Sequence, residues 1–449
     1  MAFKITETLL KDVALYINTK NNAALSEHFK EMHHADIAEV LNELSFDEAL
    51  YIIRLLDSET TSEVLMDVDD DVREKVLKQL SAKEIAEEID ELDTDDAADI
   101  IAELPEKRKQ EVMQRIEDEV HAKEIVELLR YDENSAGGLM AKELVKVNVN
   151  WTILRCVKEM RIQAEEVTRV HSIYVVDDSG KLKGRLSLKD LLMASTKAKI
   201  ADVYIPKVDF VNVTDEAEEV ANVMRKYDLE AIPVVDELGV LVGRITIDDI
   251  VDVIKEEAEK DYQLAAGITQ DVEASDTIWQ LTRARLPWLF LGLLGGIGAF
   301  LIMENFKETF SENAVLFFFT PLIAAMAGNV GVQSSAIIVQ GLANDDVKGS
   351  VNNRLVKEML LAAFNGVMLA LFLFGFIWLY DGGFQKALAI SVSLIVVIIV
   401  AGLIGTFIPL FLNKRGIDPA IATGPFITTS NDIFGILIYF WIAKMIIGF

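Results

Sequence analysis

Five long apolar segments in the C-terminal part of the chain restrict its fold more than any other feature. They cover residues 286–303, 314–343, 359–380, 387–412 and 421–449. Each approaches or exceeds the roughly 20 residues that a helix needs to cross a bilayer. Because only helices and closed barrels satisfy their backbone polar groups in lipid, we expect a membrane domain of five helices over residues 276–449.

The net charge of −29 lies entirely before this domain. Residues 276–449 contain ten basic and ten acidic residues, whereas the first 275 contain 33 basic and 62 acidic ones. Such an acidic excess argues against a nucleic-acid partner, since a phosphate backbone requires Lys and Arg. The N-terminus lacks the pattern of a signal peptide, and the lone Cys156 excludes a disulfide framework, so we expect the acidic part to be cytosolic.

The basic residues flanking the apolar segments agree with this orientation. With a cytosolic N-terminus, the cytosolic flanks carry Arg283, Arg285, Lys348, Arg354, Lys357, Lys414 and Arg415, and the outer loops carry Lys307 and Lys386. This distribution follows the positive-inside rule. An odd number of spans then puts Phe449 outside, and we expect a multi-pass protein of the plasma membrane.

An eight-residue apolar block recurs every twelve residues from Ile37 to Leu104. The six blocks are IAEVLNEL, ALYIIRLL, TSEVLMDV, REKVLKQL, IAEEIDEL and AADIIAEL, and KQEVMQRI and KEIVELLR continue the pattern less regularly. Connectors such as SFDE, DSET and DTDD resemble N-caps followed by acidic first turns. Two helical turns plus a tight turn fill twelve residues, which predicts an acidic helical solenoid over residues 1–135.

Two copies of a different unit follow, over residues 136–199 and 200–251. The segments IYVVDDSGKLKGRLSLKDLL from Ile173 and IPVVDELGVLVGRITIDDIV from Ile232 are identical at nine of twenty positions. Each pattern is typical of two strands joined by a turn and followed by a helix, with Ser187 or Thr246 as N-cap. Together with an upstream helix in each copy, this β-α-β-β-α repeat resembles a pair of CBS domains.

Such a pair often senses small ligands, and two kinds of ligand compete here. A nucleotide would require an aromatic stacking partner and a basic group, but the matching positions hold Ser172, Leu229 and Lys189, so a nucleotide is the less favoured ligand and stays open as an alternative. A cation has more support, since acidic residues cluster in and after the second copy: Glu216, Glu218, Asp228, Asp248, Asp249 and Asp252.

The polar and charged pattern of residues 252–275 then predicts a connecting helix that is polar on nearly every face. A helix that only connects two domains through solvent, with no role in sensing, would have the same polar pattern. Its position between a paired sensor and a membrane domain makes it the segment through which any coupling must pass.

Two of the apolar segments contain polar stretches, AGNVGVQSSA and TTSND. They place Asn329, Gln333, Ser334, Ser335 and Asp432 at membrane depth, where an ionisable group indicates a functional site. Pro321 and Pro425 precede these stretches, and we expect each proline to free a backbone carbonyl toward an aqueous pore.

Carboxylate, amide, hydroxyl and carbonyl oxygens suit hard cations, and a hydrated Mg²⁺ could be held by Asp432 through water. This set of ligands does not separate Mg²⁺ from Mn²⁺ or Co²⁺. All five histidines lie outside the membrane half, and His33 and His34 are expected to point apart on a helix. The sequence shows no phosphate-binding or metalloprotease motif, so we expect no enzymatic activity.

The chain resembles the MgtE family of magnesium channels and transporters over nearly its whole length. The most specific motifs are PLIAAMAGNVGVQSSA, IDPA at 417–420 and GPFITTSND ending at Asp432. The resemblance implies a multidomain membrane protein: an all-α superhelical N-domain, α/β tandem CBS domains, a connecting plug helix and a five-helix transmembrane domain. It also implies a homodimer with the pore at the subunit interface.

The resemblance further assigns residue roles. Asp432 becomes the pore ligand, with a backbone oxygen of Thr428, and Asp418 lies near the cytosolic pore end. The implied regulatory Mg²⁺ ligands are Glu63, Asp95, Asp99, Glu216, Glu218, Asp228, Asp249, Asp252, Glu257 and Asp261. Lys260 departs from the family pattern, because an acid is expected there on the plug.

The resulting hypothesis is a channel that imports Mg²⁺ and closes when cytosolic Mg²⁺ binds the acidic domains. Two alternatives stay open. One is an exchanger that couples divalent cations to Na⁺ or H⁺, and the other is a membrane sensor that does not transport.

Overall fold

The computed structural model describes residues 3–164, 167, 169–270, 272, 276–308, 313–343, 350–381, 383–422 and 424–448. Lys348 and Phe449, used above to orient the membrane domain, lie outside these ranges. The chain divides into two compact units, residues 1–255 and 256–449, and each is described by itself.

The first unit begins with the helices of the solenoid. Their bounds are α1 Glu7–Asn18, α2 Asn22–Phe29, α3 His34–Asn42, α4 Phe46–Ile53, α5 Ser58–Asp67, α6 Asp70–Gln79, α7 Ala82–Ile89, α8 Thr94–Glu103, α9 Glu106–Met113 and α10 Glu119–Leu128. One helix covers each twelve-residue repeat, so the predicted solenoid is confirmed. Its apolar side chains, among them Ile37, Ile52 and Ile85, form a continuous buried core.

The connectors SFDE and DSET supply N-caps, as predicted, and so does Ser81. Ser45 and Ser81 each form a capping box with the glutamate three residues on, and Asp57 accepts a hydrogen bond from the backbone N–H of Thr60. These contacts satisfy N–H groups that have no partner within a helix.

The expectation that His33 and His34 point apart was wrong. His33 is the N-cap of α3, with extended backbone angles (φ −71°, ψ 144°), and its Nδ1 accepts a hydrogen bond from the Ala35 N–H. Because His33 is not helical, the two rings pack against each other, with their centroids 3.9 Å apart.

Two three-stranded sheets follow the solenoid. The first CBS-like copy contains β1 Val145–Asn148, α11 Ile153–Gln163, β2 Ile173–Val176, β3 Leu182–Leu186 and α12 Leu188–Met193. The second contains β4 Val211–Asn212, α13 Ala217–Tyr227, β5 Ala231–Val235, β6 Leu241–Thr246 and α14 Ile247–Ala266. In each sheet the first pair of strands is parallel and the second pair is antiparallel, as the predicted repeat requires.

The two predicted N-caps differ in detail. Ser187 accepts a hydrogen bond from the Lys189 N–H and caps α12. At the start of α14 the direction is reversed, since the Asp249 carboxylate accepts from both the N–H and the hydroxyl of Thr246. Asp249 therefore has a local structural role in addition to the regulatory role that the family resemblance implies.

The second unit contains the five predicted spans. They are α15 Ile278–Phe306, the pair α16 Val315–Phe318 and α17 Thr320–Ala343, α18 Val351–Asp381, α19 Phe384–Asn413, and α20 Gly424–Ile447. Within the described residues, five helical stretches are long and apolar enough to cross a membrane. α19 lies at the centre and packs against α17, α18 and α20.

Pro321 and Pro425 do not have the predicted effect on the backbone. Both lie in the first turn of a continuous helix, α17 or α20, where N–H groups have no intrahelical partner in any case. They therefore free no carbonyl within the helix, and the prediction was wrong.

Candidate ion pathway and regulatory carboxylates

The polar faces of α17 and α20 line one open cavity of about 440 Å³. Its lining residues are Ala324, Ala325, Gly328, Asn329, Val332, Gln333, Thr428 and Asp432. Asp432 is half-buried, while Asn329 and Gln333 are exposed at the surface of the unit. The helical period thus brings together a carboxylate, two amides and a threonine from segments about a hundred residues apart.

The two serines of the same stretch point elsewhere. Ser334 and Ser335 are buried, and the Ser334 hydroxyl donates to Glu358 Oε1 on α18 at 2.6 Å. Glu358 was missed by the sequence reasoning, although it is a carboxylate at the start of an apolar segment. It lies beside Gly402 of α19, where an added Cβ would be 2.9 Å from Glu358 Oε1.

The residue before Asp432 holds α20 against α17. Asn431 is buried, and its Nδ2 donates to the Ala327 carbonyl at 3.2 Å. The absence of a side chain at Gly331 makes room for this amide, because a Cβ there would lie within 1.9 Å of Asn431 Nδ2. Gly405 of α19 in turn faces the Gly331 backbone, with its own Cβ position 2.3 Å from the Gly331 carbonyl oxygen.

The start of α20 contacts the end of α14. Gly267 ends α14 with a left-handed φ of 82°, and a Cβ on it would lie 2.4 Å from Pro425 Cγ. A Cβ on Gly424 would lie 2.2 Å from the Ala265 carbonyl oxygen. The C-terminal end of the connecting helix therefore packs directly on the helix that carries Thr428 and Asp432. The Thr428 hydroxyl donates to the Gly424 carbonyl at 3.0 Å.

Lys260 joins the acidic residues near the same end of α14. Its Nζ lies 3.0 Å from Glu257 Oε1. The hydrogen bond to Glu257 raises the pKa of Lys260, and attraction by Glu257, Asp418 and Asp261 adds to this effect. Asp418 also accepts a hydrogen bond from the Ala420 N–H at 2.8 Å, which caps a short 3-10 helix, Pro419–Ala422.

In the first unit, the predicted ligands Asp95 and Asp249 approach each other. Burial raises the pKa of Asp95 well above its ordinary range, and repulsion from Asp249 and Asp96 adds to it. Burial likewise raises the pKa values of Asp249 and Asp99, each to about 6. Part of the Asp99 side chain stays exposed. These carboxylates are crowded together, and their mutual repulsion opposes their ionisation.

Further members of this cluster were missed by the sequence reasoning. The pKa of Asp96 is raised to about 7, mainly by burial and by repulsion from Asp249. Glu143 accepts hydrogen bonds from the backbone N–H and the hydroxyl of Thr94. The buried Arg244 of β6 lies 3.6 Å from Asp93 Oδ2. The sequence signal is DTDD at 93–96, in which only Asp95 is an implied ligand and the other positions are interpreted as a helix cap.

The other predicted ligands of the first unit are exposed at the surface of that unit. Glu216 is the exposed N-cap of α13, and Asp228 ends the same helix in a left-handed conformation (φ 50°). Glu218 and Asp252 are exposed, and Glu63 lies on α5 beside His34. Among the described residues, no three His, Cys, Asp or Glu side chains are arranged to hold a metal ion.

The CBS-like pair contains buried polar atoms at positions other than Ser172, Leu229 and Lys189. Tyr174 Oη, Arg244 Nε and His171 Nδ1 are buried and have no hydrogen-bond partner within the described part of the chain. An aromatic and a basic group are thus present between β2 and β6, although not at the positions the sequence argument tested.

Comparison with known families covers most of the chain. Residues 320–442 match the MgtE family profile, described as a divalent cation transporter, and residues 32–134 match the MgtE intracellular N domain. Residues 136–197 and 200–256 match the CBS domain.

The magnesium transporter MgtE of Enterococcus faecalis is 37% identical over 323 residues, which are 72% of this chain and 71% of that protein. The Thermus thermophilus protein of the same name is 35% identical over 330 residues, or 72% of each chain.

Two solved structures are similar to the cytosolic part. The cytosolic domain of the Mg²⁺ channel MgtE in complex with ATP is 33% identical, with a TM-score of 0.52, and covers 55% of this chain and all of that one. The soluble part of a magnesium transporter is 27% identical, with a TM-score of 0.50, over 56% of this chain and 98% of that one. The chain therefore belongs to the MgtE family of magnesium transporters and is a membrane protein with cytosolic N-terminal domains.

Proposed function

We propose that two copies of this chain form a channel that imports Mg²⁺ across the plasma membrane and closes when cytosolic Mg²⁺ binds the acidic domains. The observation that carries the proposal is the cavity in which Asp432 faces Asn329, Gln333 and Thr428. An intramembrane carboxylate surrounded by oxygen ligands is costly unless it serves an ion.

The ligands of this cavity suit a hydrated ion. Mg²⁺ loses its water reluctantly and is usually bound through few protein carboxylates, whereas Ca²⁺ takes six to eight oxygen ligands. One Asp432 per subunit, with amides and hydroxyls around it, fits the first case. Asp432 would act through water, and the Thr428 carbonyl would add a further oxygen.

The exposure of polar side chains on the membrane unit supports a dimer. Asn329 and Gln333 are exposed within a single chain, next to a half-buried Asp432. Facing lipid, these groups would have no hydrogen-bond partners. A second copy placed against this face would enclose them in a water-filled pore at the interface, with the C-terminus of each chain outside.

The crowded carboxylates of the first unit support regulation by Mg²⁺. Like charges a few ångströms apart repel by on the order of 1 kcal/mol even in high dielectric. Mg²⁺ bound between Asp95, Asp99 and Asp249 would offset that repulsion and favour the compact arrangement. By linkage, Mg²⁺ closes the channel only to the extent that it prefers the closed state, so several weak sites must act together.

Mg²⁺ flux into proteoliposomes containing the full chain, at varied Mg²⁺ on the cytosolic side, tests this proposal. We expect flux that falls as cytosolic Mg²⁺ rises through the millimolar range. Dependence of the flux on an opposing Na⁺ or pH gradient would instead indicate an exchanger. Absence of flux under all conditions would indicate a sensor that does not transport.

Nucleotide binding is a separate question. Ser172, Leu229 and Lys189 do not favour a nucleotide, whereas a related cytosolic domain was solved with ATP. The buried polar atoms of Tyr174, Arg244 and His171 give a reason to measure ATP binding directly.

A further inference from the structure

A histidine in the solenoid lies between two carboxylates of a neighbouring repeat. His34 begins α3, and Glu63 and Asp67 lie one turn apart on α5, which packs against α3. The Nδ1 atom of His34 lies 2.5 Å from Asp67 Oδ2, and its Nε2 atom lies 3.7 Å from Glu63 Oε2. The two nitrogens of one imidazole therefore face two different carboxylates.

The two distances indicate different kinds of contact. The shorter one is a hydrogen bond. In the neutral tautomer whose Nδ1–H donates to Asp67, the lone pair of Nε2 lies on the side of Glu63. The longer one exceeds the usual N–H···O hydrogen-bond distance of about 3 Å. Two donors that are each about 2.1 Å from one Zn²⁺ ion lie about 3.4 Å apart in a tetrahedral site. The gap between His34 Nε2 and Glu63 Oε2 is therefore close to the size of a metal ion.

The role of Asp67 matches a known feature of metal sites. A metal-ligating histidine usually donates its other ring N–H to a carboxylate, which fixes the tautomer and makes the ligating nitrogen more basic. The ring centroids of His33 and His34 are 3.9 Å apart. His33 itself is engaged as the N-cap of α3 through its Nδ1.

We propose that His34 Nε2 and Glu63 form a binding site for a borderline transition-metal dication such as Zn²⁺, with Asp67 as the orienting carboxylate. Imidazole nitrogen favours Zn²⁺, Ni²⁺ and Cu²⁺, whereas Mg²⁺ favours oxygen alone. Two protein ligands leave the other coordination positions to water, which makes the site weak and exchangeable. The bound ion would link α3 to α5 and place a response to transition metals in the cytosolic part of a magnesium transporter.

The site is tested with Zn²⁺ on the full-length protein in detergent, in the presence of millimolar Mg²⁺ to occupy the oxygen-only sites. Zn²⁺ affinity is measured by competition with a chromogenic chelator. Because loss of an outer-shell carboxylate typically lowers metal affinity by about 10–100-fold, we expect at least a tenfold loss in Asp67→Asn and in the ligand variants His34→Gln and Glu63→Gln. His33→Asn is the matched control, since asparagine is also a favourable N-cap, and it should leave the affinity unchanged.

Two outcomes would overturn the proposal. One is equal Zn²⁺ affinity in the wild type and His34→Gln, and the other is an equal loss of affinity in His33→Asn and His34→Gln. X-ray absorption of Zn²⁺ bound to the wild-type protein gives a readout that does not depend on any variant. We expect imidazole scattering in its spectrum, and a shell made of oxygen alone would refute the assignment.

Discussion

The Asn431 side-chain amide donates a hydrogen bond to the Ala327 carbonyl at 3.2 Å, so the residue beside Asp432 fixes α20 against α17. This contact sets which face of α20 meets the polar face of α17. The position of the candidate pore ligand therefore depends on residues that do not line the cavity, and these can be varied separately from it.

Replacement of Asp432 itself tests the pore assignment. Asp432→Ala removes the only carboxylate among the described residues that line the cavity, and we expect divalent flux to fall to background while the dimer still assembles. Flux is measured in proteoliposomes and assembly by size-exclusion chromatography with light scattering. Asp381→Asn is a control, since Asp381 pairs with Lys386 at the end of α18. We expect the flux of this variant to equal that of the wild type. Full flux in Asp432→Ala would refute the assignment.

Gly331→Ala tests the helix contact. The new Cβ would lie 1.9 Å from Asn431 Nδ2 and 2.7 Å from Ile427 Cγ2, so α20 must move. Overpacking of this kind typically costs about 1–3 kcal/mol. We expect a lower unfolding temperature and reduced flux.

Gly292→Ala serves as the matched control for that variant, because a Cβ at Gly292 meets no atom within 4 Å. Equal flux and equal unfolding temperature in Gly331→Ala and Gly292→Ala would show that the close contact at Gly331 has no functional importance.

The acidic cluster predicts selective protection by Mg²⁺. We expect millimolar Mg²⁺ to slow proteolysis of the cytosolic domains, and NaCl of matched ionic strength to leave it unchanged. The variants Asp95→Asn and Asp249→Asn should need more Mg²⁺ for the same protection from proteolysis, because each has lost one negative charge that attracts Mg²⁺. Glu27→Gln, on an exposed face of α2, should behave as the wild type. Proteolysis that is insensitive to Mg²⁺ would contradict regulation by these sites.

In the absence of divalent ions, the same acidic cluster should make the free energy of unfolding depend on pH. The pKa values of Asp95, Asp96 and Asp249 are raised in the folded protein, to about 7 for Asp96 and about 6 for Asp249. The folded state therefore binds protons that the unfolded state releases, and the free energy of unfolding should fall as pH rises from about 4 to about 7. Hydrogen exchange of peptides from α8 in a chelator, corrected for the intrinsic effect of pH, measures this trend. Stability that rises over that range would contradict it.

If cytosolic Mg²⁺ closes the channel as proposed, the charge of Lys260 should affect the Mg²⁺ concentration that closes it. Its ammonium group attracts Glu257, Asp418 and Asp261, and so partly replaces a bound cation. In Lys260→Gln the carboxylates lose that charge, and we expect a higher Mg²⁺ concentration for half-closure. Lys255→Gln, an exposed lysine on the same helix, is the control. A lower half-closing concentration in Lys260→Gln would refute this role.

Elements with a strict sequence period were predicted well. The twelve-residue repeat gave the solenoid helices because each block buries one apolar face, and the apolar segments gave the five spans because length and composition suffice. Asn329, Gln333 and Asp432 come together because the helical period places them on facing sides of α17 and α20.

Contacts that depend on backbone conformation at one residue, or on packing between distant segments, were not predictable in this way. His33 and His34 meet only because His33 is an N-cap and not helical. The Ser334 to Glu358 hydrogen bond and the approach of Arg244 to Asp93 join segments whose separation along the chain carries no local signal. Pro321 and Pro425 were misinterpreted because their effect depends on their position within the helix.

The left-handed glycine after α14 has a consequence for variation at that contact. Gly267 has a φ of 82°, and a Cβ on it would lie 2.4 Å from Pro425 Cγ in the first turn of α20. Any other residue at position 267 would therefore meet two obstacles at once, a backbone conformation that side chains disfavour and a steric clash with Pro425. The chain can leave α14 beside the helix that holds Asp432 only because this position has no side chain.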